Sequence, residues 1–575
     1  MDYALERFTA EVTAAIAATG RVPLDVIELT TPKANIPADL ALPMFKAAKA
    51  LGVSPPQLAA ELAASIQLPA TGLVGSVEAT GPFLNFSLNP ERLAQHVLAT
   101  IQAQGDAYGA QTLGADQTVV VDYSAPNIAK RMHVGHIRST IIGQALVNIY
   151  RALGYRVIGD NHLGDWGKQF GVVLAAIERE GKPTTEGEVA LADLEAQYAR
   201  YAAAAKDDPA LDEHARHWSL RLEQGDADAR ALWQWCVDLT MTAAQRNYDR
   251  LSVKIDHAYG ESFYEPMLAD VIAQAQAAGV AFRDEGGAVV VENLQKLPTF
   301  LLQRSDGGTL YMTRDVATIV FRLREFAPRA LIYVVGEPQT LHLRQLFALV
   351  EAMGYGAGVT LTHVAFGTIF DAKGMPLSTR RGNMVYLEAL LDDAVARALA
   401  VVEQKSPELP EAEKLAVAEA VGVGAVVYND LYQDPKRNIT LDWERMLATE
   451  GNSATYLQYS HARCVSILRR ANEDGGGGVG DALTLLTHPA ETRLLKHLAR
   501  LPEALREAAA RHAPFVIADW CYATAREFGV FFEQCPVLRA ETPALRGARL
   551  RLVAATASAL RRGLALLGIR APERM

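Results

Sequence analysis

Residues 118–143 read TVVVDYSAPNIAKRMHVGHIRSTIIG, and this stretch decides the fold. It opens with a short apolar, β-branched run, TVVVDY (118–123), of the kind that forms a buried parallel strand. A loop, a helical pattern from His136 to Leu153 and a second strand candidate, YRVIGD (155–160), follow. The order strand, loop, helix, strand predicts the start of a nucleotide-binding parallel sheet.

Two histidines, His133 and His136, form the pattern H-x-G-H at the entrance of the predicted helix. Side chains three residues apart share one helix face, and the free N–H groups and the dipole at a helix start favour an anion. Gly135 leaves room for a flat purine to stack against the main chain. The pattern suits a nucleotide triphosphate, because imidazoles can hydrogen-bond its phosphates. The alternative is a pair of unrelated surface histidines at a helix cap.

Outside this stretch the patterns divide the chain into three parts. The alternating segment FLNFSL (83–88) and its helical neighbours indicate a small α+β domain, whereas LIYVVG (331–336) and VTLTHVAFGTIF (359–370) read as later strands of the parallel sheet. The last part is helical in pattern. The predicted domains are 1–112, 113–385 with a largely helical insertion at about 171–300, and 386–575.

Composition and charge exclude several classes of protein. The chain has 575 residues, of which 50% are hydrophobic and 21% charged, so it is neither disordered nor collagen-like. The net charge of −10 excludes a generally basic surface for nucleic acid. The last forty residues, 536–575, nevertheless hold eight arginines and two glutamates. This local excess predicts either a positive face for phosphates or an ordinary solvated helix.

Four cysteines without a C-x-x-C pair or clustered spacing predict core thiols and no metal site. The sequence contains no apolar run of the ~18 to 20 residues that cross a bilayer. The first residues, MDYALERFTAEV, are amphipathic and acidic, unlike a secretory signal. We therefore expect a cytoplasmic protein without membrane contact.

The string SAPNIAKRMHVGHIRSTIIG, followed by NHLGDWGKQFG (161–171), resembles the class I aminoacyl-tRNA synthetases, and arginyl-tRNA synthetases in particular. The similarity runs along nearly the whole chain. Further matching strings are ESFYE (261–265), LYMTRDVA (310–317), STRRG (378–382), YLQYSHAR (456–463) and the ending LLGIRAPERM. The resemblance implies an α/β fold: a Rossmann-type parallel-sheet catalytic domain with a helical insertion, an N-terminal α+β appended domain and a C-terminal all-α anticodon-binding bundle.

The resemblance also implies roles at the nucleotide site. His133 and His136 would hold the ATP phosphates, and Gly135 would make room for adenine. The second class I signature, usually K-M-S-K-S, is matched only loosely by residues 376–380, which lack both lysines. Arginyl enzymes commonly place the missing positive charge just before the first signature, where Lys130 stands. The remaining ATP ligands implied are Ser378 and Arg380, with Mg²⁺ arriving on ATP and no dedicated metal site.

A pocket for arginine needs carboxylate and aromatic partners for a planar guanidinium. Tyr311 and Asp315 are spaced i, i+4, so on a helix they share one face. The resemblance gives these two residues contacts to the guanidinium and makes Gln339 a further pocket residue. It assigns the α-amino and carboxylate groups of the substrate to Asp122 and Asn127, with Asp122 standing where a glutamate is often found.

For tRNA, the resemblance points to the helical carboxy-terminal part. Tyr456, Tyr459 and Arg463 have spacings that place two aromatic rings and a guanidinium on one side of a helix, where anticodon bases could stack. Core tyrosines with a surface arginine are the alternative. Phe531 and Phe532 could add stacking or could pack in the core.

We therefore expect an arginine–tRNA ligase that takes L-arginine, ATP and tRNA(Arg) as substrates, with a monomer favoured. Another class I synthetase or a nucleotidyltransferase with the same H-x-G-H site would also fit that motif. A tRNA-binding relative without catalytic activity is permitted by the imperfect second signature.

Overall fold

The structure is a computed structural model that describes residues 3–33, 35–377, 385–473 and 482–575. Its first part is a three-stranded antiparallel sheet, in the order β1-β3-β2, flanked by helices. Phe8, Val12 and Ile16 bury one stripe of the first helix, and Asn89 caps the last helix by accepting from Arg92 N at 3.1 Å. The elements are α1 (Ala4–Ala18), β1 (Leu40–Pro43), α2 (Phe45–Leu51), α3 (Pro55–Ser65), β2 (Val74–Thr80), β3 (Phe83–Leu88) and α4 (Pro90–Gln104).

The predicted strand, helix and strand follow in the expected places, as β4 (Thr118–Asp122), α5 (Val134–Ala152) and β5 (Arg156–Asp160). The two strands pair in parallel, and Asp122 lies opposite Asp160 at their carboxyl ends. The valines of β4 are buried on both faces, which explains why its sequence is continuously apolar. Helix α5 is buried along nearly its whole length, so it shows no strong amphipathic pattern.

A helical insertion follows β5 and has its own core around Phe170, Leu194 and Trp218. Asp208 caps one of its helices by accepting from Ala210 N at 2.9 Å. Two short helices and a small antiparallel sheet then lead back to the parallel sheet. The elements are α6 (Gln169–Glu180), α7 (Gly187–Asp207), α8 (Pro209–Glu223), α9 (Ala227–Arg250), α10 (Glu261–Tyr264), α11 (Leu268–Ala277), β6 (Phe282–Arg283), β7 (Val289–Val291) and β8 (Phe300–Gln303).

The parallel sheet is completed by α12 (Tyr311–Phe326), β9 (Ala330–Gly336), α13 (Thr340–Ala352) and β10 (Thr360–Phe366). Its order is β10-β9-β4-β5, with every pair parallel. The chain runs from β4 to one neighbour, β5, and returns on the other side as β9. Such a reversal opens a crevice at the carboxyl ends of the two central strands, where α/β proteins bind ligands.

The strand predicted over 359–370 is interrupted. Its last two residues form a separate strand, β11 (Ile369–Phe370), which pairs with β12 (Ile439–Thr440) instead of extending β10. A Cβ atom on Gly367 would lie 2.6 Å from Asn438 Oδ1 and 2.8 Å from the Arg437 carbonyl oxygen. The close approach of a second backbone at this glycine breaks the strand.

Helices make up nearly all of the remaining part of the chain. One continuous core joins them to the parallel sheet and to the first domain. Tyr108 donates to the Leu498 carbonyl oxygen at 2.8 Å, and Tyr150 of α5 donates to the Ala509 carbonyl oxygen at 3.1 Å. The elements are α14 (Leu387–Lys405), α15 (Glu411–Leu431), α16 (Trp443–Met446), α17 (Ala454–Glu473), α18 (Pro489–Ala499), α19 (Leu501–Ala510), α20 (Phe515–Gln534) and α21 (Pro543–Leu566).

All four cysteines are buried and have free thiols, as the sequence predicts. Among the helices that the structure describes, none has both the length and the apolarity needed to cross a bilayer.

Candidate active site at the sheet crevice

The loop from β4 to α5 carries the first signature and has an unusual backbone. Ala125 and Ala129 adopt positive φ angles of 50° and 63°, a conformation that costs an alanine about 1 kcal/mol or more. Side chains from other elements hold them there: Asn161 Oδ1 accepts from Ala125 N at 2.9 Å, and Thr240 Oγ1 accepts from Ala129 N at 3.0 Å. The surrounding fold therefore dictates the path of this loop.

His133 is the N-cap residue of α5, and His136 completes a capping box with it. His133 Nδ1 accepts from Gly135 N at 3.0 Å, and His136 Nδ1 accepts from His133 N at 3.1 Å, with the two ring centroids 4.0 Å apart. Because both Nδ1 atoms accept, the ring proton of each neutral imidazole resides on Nε2. The pair thus has two Nε2–H groups that can donate to an anion.

Burial keeps these imidazoles neutral. It lowers the pKa of His136 to about 3, helped by the neighbouring His133 and by Lys130. The pKa of His133 is also lowered by burial, against the opposing effect of Glu195. Near pH 7 the histidines therefore act as neutral hydrogen-bond donors.

Gly135 has a structural reason that the sequence alone does not reveal. A Cβ atom at this position would lie 2.7 Å from His133 Cε1, so any other residue would displace the imidazole. The predicted contact of Gly135 with adenine stays a prediction.

Lys130 is exposed in the same loop, with Nζ 5.9 Å from the ring centroid of Tyr198 on α7. Its charge contributes to the lowered pKa of both histidines. Ser378 and Arg380, the other two predicted ATP ligands, lie outside the described residues.

Tyr311 and Asp315 lie on the first turns of α12, as their spacing predicts. Tyr311 is 69% exposed. Asp315 Oδ2 lies 2.5 Å from His342 Nε2, and Asp315 Oδ1 lies 4.0 Å from His162 Nε2. Gln339 is exposed just before α13, the helix that carries His342. Asp315 is thus brought to the ends of two sheet strands, since His162 follows β5 and His342 follows β9.

Asp122 has a partner that the sequence did not predict. This carboxylate is 6% exposed, and its Oδ2 lies 2.6 Å from Arg322 Nη2. The same guanidinium donates to Asp160 Oδ2 at 2.7 Å and to Tyr333 OH at 3.0 Å. Burial raises the pKa of Asp122, and the attraction of Arg322 offsets only part of that shift. The structure therefore gives Asp122 an ion pair beneath the crevice, while its predicted contact with the substrate stays a prediction.

Asn127 is exposed at the crevice edge and forms a backbone bridge to Gly164. A Cβ atom on Gly164 would lie 2.7 Å from Asn127 Oδ1. The glycine of NHLGDWG therefore makes space for the asparagine side chain.

Two polar residues of this region, Glu261 and His162, were not singled out from the sequence. Burial raises the pKa of Glu261 to about 7, although Arg314 Nη1 lies 3.6 Å from its Oε2. That Oε2 atom and both ring nitrogens of His162 are buried without a hydrogen bond within the described ranges. Such groups are costly unless a polar ligand satisfies them. Both residues lie in strings that carry the family resemblance, ESFYE and NHLGDWG.

Sequence models of three protein families match consecutive parts of the chain. They are the arginyl tRNA synthetase N-terminal domain over residues 6–88, the tRNA synthetases class I (R) catalytic domain over residues 97–443, and the DALR anticodon binding domain over residues 457–575. The arginine–tRNA ligase of Chloroflexus aggregans is 70% identical over 575 residues, with 100% of both chains covered. The chain belongs to the arginyl-tRNA synthetase family.

Two further relatives agree. The arginine–tRNA ligase of Chloroflexus aurantiacus is 69% identical over 575 residues and is also covered completely. The solved arginyl-tRNA synthetase of Thermus thermophilus superposes with a TM-score of 0.81 at 26% identity, covering 99% of this chain and 100% of that one. The family and the fold class predicted from the sequence are thereby confirmed.

In the part that matches the anticodon-binding family, Arg463 lies close to two aromatic rings. Its Cζ is 4.7 Å from the ring centroid of Tyr459 and 5.1 Å from that of Phe532. All three line a cavity of about 950 Å³, and Tyr459, Arg463 and Tyr456 also line an adjacent one of about 630 Å³. Phe532 is 41% exposed, whereas Phe531 is fully buried. Stacking through Phe531 was therefore a wrong alternative, and core packing is its role.

The arginine-rich end of this synthetase is not one continuous positive face. Arg549 is buried and donates to Glu491 Oε1 at 2.7 Å, while Arg561 Nη2 lies 2.6 Å from Asp106 Oδ1 of the first domain. Arg539, in contrast, lines the cavity beside Arg463. Part of the local charge thus serves packing between domains.

Proposed function

We propose that this chain is an arginine–tRNA ligase, which activates L-arginine with ATP to arginyl-adenylate and transfers the arginyl group to the 3′-terminal adenosine of tRNA(Arg). The observation that carries the proposal is the arrangement at one edge of the sheet. The paired imidazoles follow β4, and the Asp315 carboxylate lies between residues that follow β5 and β9. A donor site for phosphates thus shares a crevice with an acceptor site for a guanidinium.

In the first step the carboxylate of arginine attacks the α-phosphorus of ATP, and pyrophosphate leaves. His133 and His136 donate from Nε2 to the phosphate oxygens, where negative charge grows during the attack. Since the donors are held by the helix N-cap before ATP binds, little reorganisation is needed. Gly135 brings the main chain close to the adenine. No covalent enzyme intermediate is required, so positioning and charge stabilisation supply the rate enhancement.

Lys130 supplies the positive charge that the second signature lacks. Its ammonium stands three residues before His133 and stabilises the departing pyrophosphate. Ser378 and Arg380 contribute further contacts to the nucleotide. Mg²⁺ accompanies ATP, and among the described residues no group of three or more His, Cys, Asp or Glu is arranged to hold a metal.

The arginine substrate places its guanidinium against Asp315 and Glu261. Both are carboxylates, and the buried Oε2 of Glu261 gains the hydrogen bond that it otherwise lacks. Tyr311 and Gln339 border this pocket. Asn127 and Asp122 stand at the end that receives the α-amino and carboxylate groups, with Asp122 acting there in addition to its pair with Arg322.

The anticodon of tRNA(Arg) binds at the carboxy-terminal cavities. Unstacked bases lie against Tyr459 and Tyr456, and Arg463 adds a cation–π contact and a charge for phosphate. The synthetase acts as a monomer in the cytoplasm, where its macromolecular substrate is used.

The test is aminoacylation of unfractionated tRNA with labelled arginine, lysine, glutamate and cysteine in parallel. Arginine alone should be attached, and pyrophosphate exchange should require tRNA. Attachment of another amino acid would overturn the specificity. Absence of any attachment, with tRNA binding retained, would favour a relative that has lost catalysis.

A further inference from the structure

One carboxylate from the helical insertion reaches the loop before the H-x-G-H signature. Glu195 of α7 accepts from Arg131 N at 2.6 Å through Oε1 and from Arg131 Nε at 2.9 Å through Oε2. Both side chains are about one-fifth exposed. A single glutamate therefore fixes the main chain and the side chain of Arg131 at once.

An aromatic ring covers the other side of this guanidinium. The Cζ atom of Arg131 lies 3.5 Å from the ring centroid of Tyr386, the residue that precedes α14. The Tyr386 hydroxyl donates to Glu195 Oε2 at 3.3 Å. Stacking, ion pair and hydrogen bond thus join three segments that are distant in sequence.

The main chain beside Tyr386 is paired with the signature itself. Val134 N donates to the Val385 carbonyl oxygen at 3.0 Å, and Leu387 N donates to the Met132 carbonyl oxygen at 2.9 Å. His133 lies opposite Tyr386 in this short antiparallel bridge. Residues 385–387 therefore pair with residues 132–134, which include the first signature histidine.

We propose that Glu195 and Tyr386 are positioning residues, which through Arg131 hold Lys130 and His133 in the geometry that activation of the amino acid by ATP requires. The proposal rests on the function proposed above and deepens it. Neither residue touches the reacting atoms in this role. They act on the loop that carries the ammonium and the first imidazole donor.

The backbone of the loop gives a physical reason for these contacts of Glu195 and Tyr386 with Arg131. Ala129, directly before Lys130, is held at a strained φ of 63° by the hydrogen bond from its N to Thr240 Oγ1, and Glu195 anchors Arg131 on the other side of Lys130. The exposed Lys130 side chain has weak support of its own, a ring 5.9 Å away. Since a displacement of about 1 Å can cost about 100-fold in rate, fixing the neighbouring Arg131 protects the rate of activation.

Loss of the contacts of Glu195 and Tyr386 with Arg131 should affect turnover more than the binding of arginine. The residues proposed to hold the guanidinium, Glu261 and Asp315, lie on α10 and α12 and have no part in the contacts of Arg131. Asn127, the proposed arginine ligand in the same loop, is anchored separately by its backbone bridge to Gly164. Loss of Glu195 or Tyr386 should therefore lower kcat and leave KM for arginine nearly unchanged.

The experiment compares Glu195→Gln, Tyr386→Leu and Tyr386→Phe by steady-state kinetics of tRNA-dependent pyrophosphate exchange. We expect kcat to fall about tenfold or more in Glu195→Gln and Tyr386→Leu, with KM for arginine within about twofold. Tyr386→Phe keeps the ring over Arg131 and should lose less than Tyr386→Leu. The matched control is Glu180→Gln, which removes a carboxylate that pairs with Arg200 on the surface of the same insertion and should leave kcat unchanged.

The double variant Glu195→Gln/Tyr386→Leu tests whether both residues act through Arg131. Because both residues act through Arg131, its loss in kcat should be smaller than the product of the two single losses. A fully multiplicative loss, or normal kcat in both single variants of an active wild-type enzyme, would overturn the positioning role. A wild-type protein that attaches no arginine would instead overturn the proposed function, so the two failures are distinguishable.

Discussion

The signature histidines are neutral because the fold buries them, and their orientation follows from hydrogen bonds to their own helix start. Their neighbour Lys130 is exposed and brings an ammonium next to two uncharged donors. The H-x-G-H motif was sufficient to find the two histidines in the sequence, and Lys130 was assigned from the family resemblance. The motif could not reveal the Asp122 pair with Arg322, because these residues are 200 positions apart and only the folded sheet joins them.

Replacing Lys130 by alanine should lower kcat for arginine activation about 100-fold, since an ammonium aimed at the leaving pyrophosphate is lost. The unfolding temperature should stay the same because the side chain is exposed. Lys182→Ala is a suitable control, since it removes another exposed lysine that lies over a ring, Trp235, at 4.9 Å. A Lys130→Ala enzyme as active as the Lys182→Ala enzyme would remove the assigned role.

Glu261 should make arginine binding depend on pH. Its pKa is raised to about 7 in the free protein by burial, and a bound guanidinium favours the carboxylate form. KM for arginine should therefore fall as the pH rises from 6 to 8, roughly the range over which the group ionises. KM for ATP, measured over the same range, serves as the reference. In Glu261→Gln the pH dependence of KM for arginine should vanish, and its persistence there would assign the titration to another group.

At the scale of elements, α5 connects the crevice to the carboxy-terminal helices through Arg138. This buried guanidinium donates to Asp430 of α15 at 2.7 and 2.9 Å and to the Arg437 carbonyl oxygen at 2.8 Å.

The strands were predictable because short, continuously apolar runs between turn residues are typical of buried strands. The break at Gly367 was not, because it depends on a backbone seventy residues later.

Arg138→Met should destabilise the protein by about 3 to 5 kcal/mol, because it leaves the buried carboxylate of Asp430 without its partner. The midpoint of urea unfolding measures the loss. Arg138→Met/Asp430→Leu should regain part of it, since no unpaired charge then remains in the core. If the double variant were no more stable than the single one, the ion pair itself would not explain the loss.

At the scale of the molecule, the proposed active site and the proposed anticodon contacts occupy different domains. The charge excess of residues 536–575 predicted either a phosphate face or a solvated helix, but Arg561 contacts Asp106 and Arg562 donates to the Tyr108 carbonyl oxygen, both in the first domain. Local charge counting cannot separate these uses, because a pairing partner such as Asp106 lies hundreds of residues away. Helical spacing, which depends only on nearby residues, predicted that Tyr456, Tyr459 and Arg463 share one side of a helix, and these three residues line one cavity.

Arg463→Ala should raise KM for tRNA about tenfold, because a cation close to two aromatic rings is lost where bases are expected to bind. KM for ATP and for arginine should be unchanged. Arg511→Ala is the matched control, since Arg511 also lies over a ring of the same domain, Phe515, at 4.9 Å. Equal effects of the two substitutions on KM for tRNA would contradict a specific site at Arg463.

The continuous core that joins the first domain, the parallel sheet and the carboxy-terminal helices has a practical consequence. The amino-terminal domain cannot be removed without exposing the core, because α4 and Tyr108 cover apolar side chains of α18 and α21. A protein shortened to begin after residue 112 would expose this apolar interface to solvent. If the shortened protein were inactive, aggregation would explain the inactivity as well as the loss of tRNA contacts would.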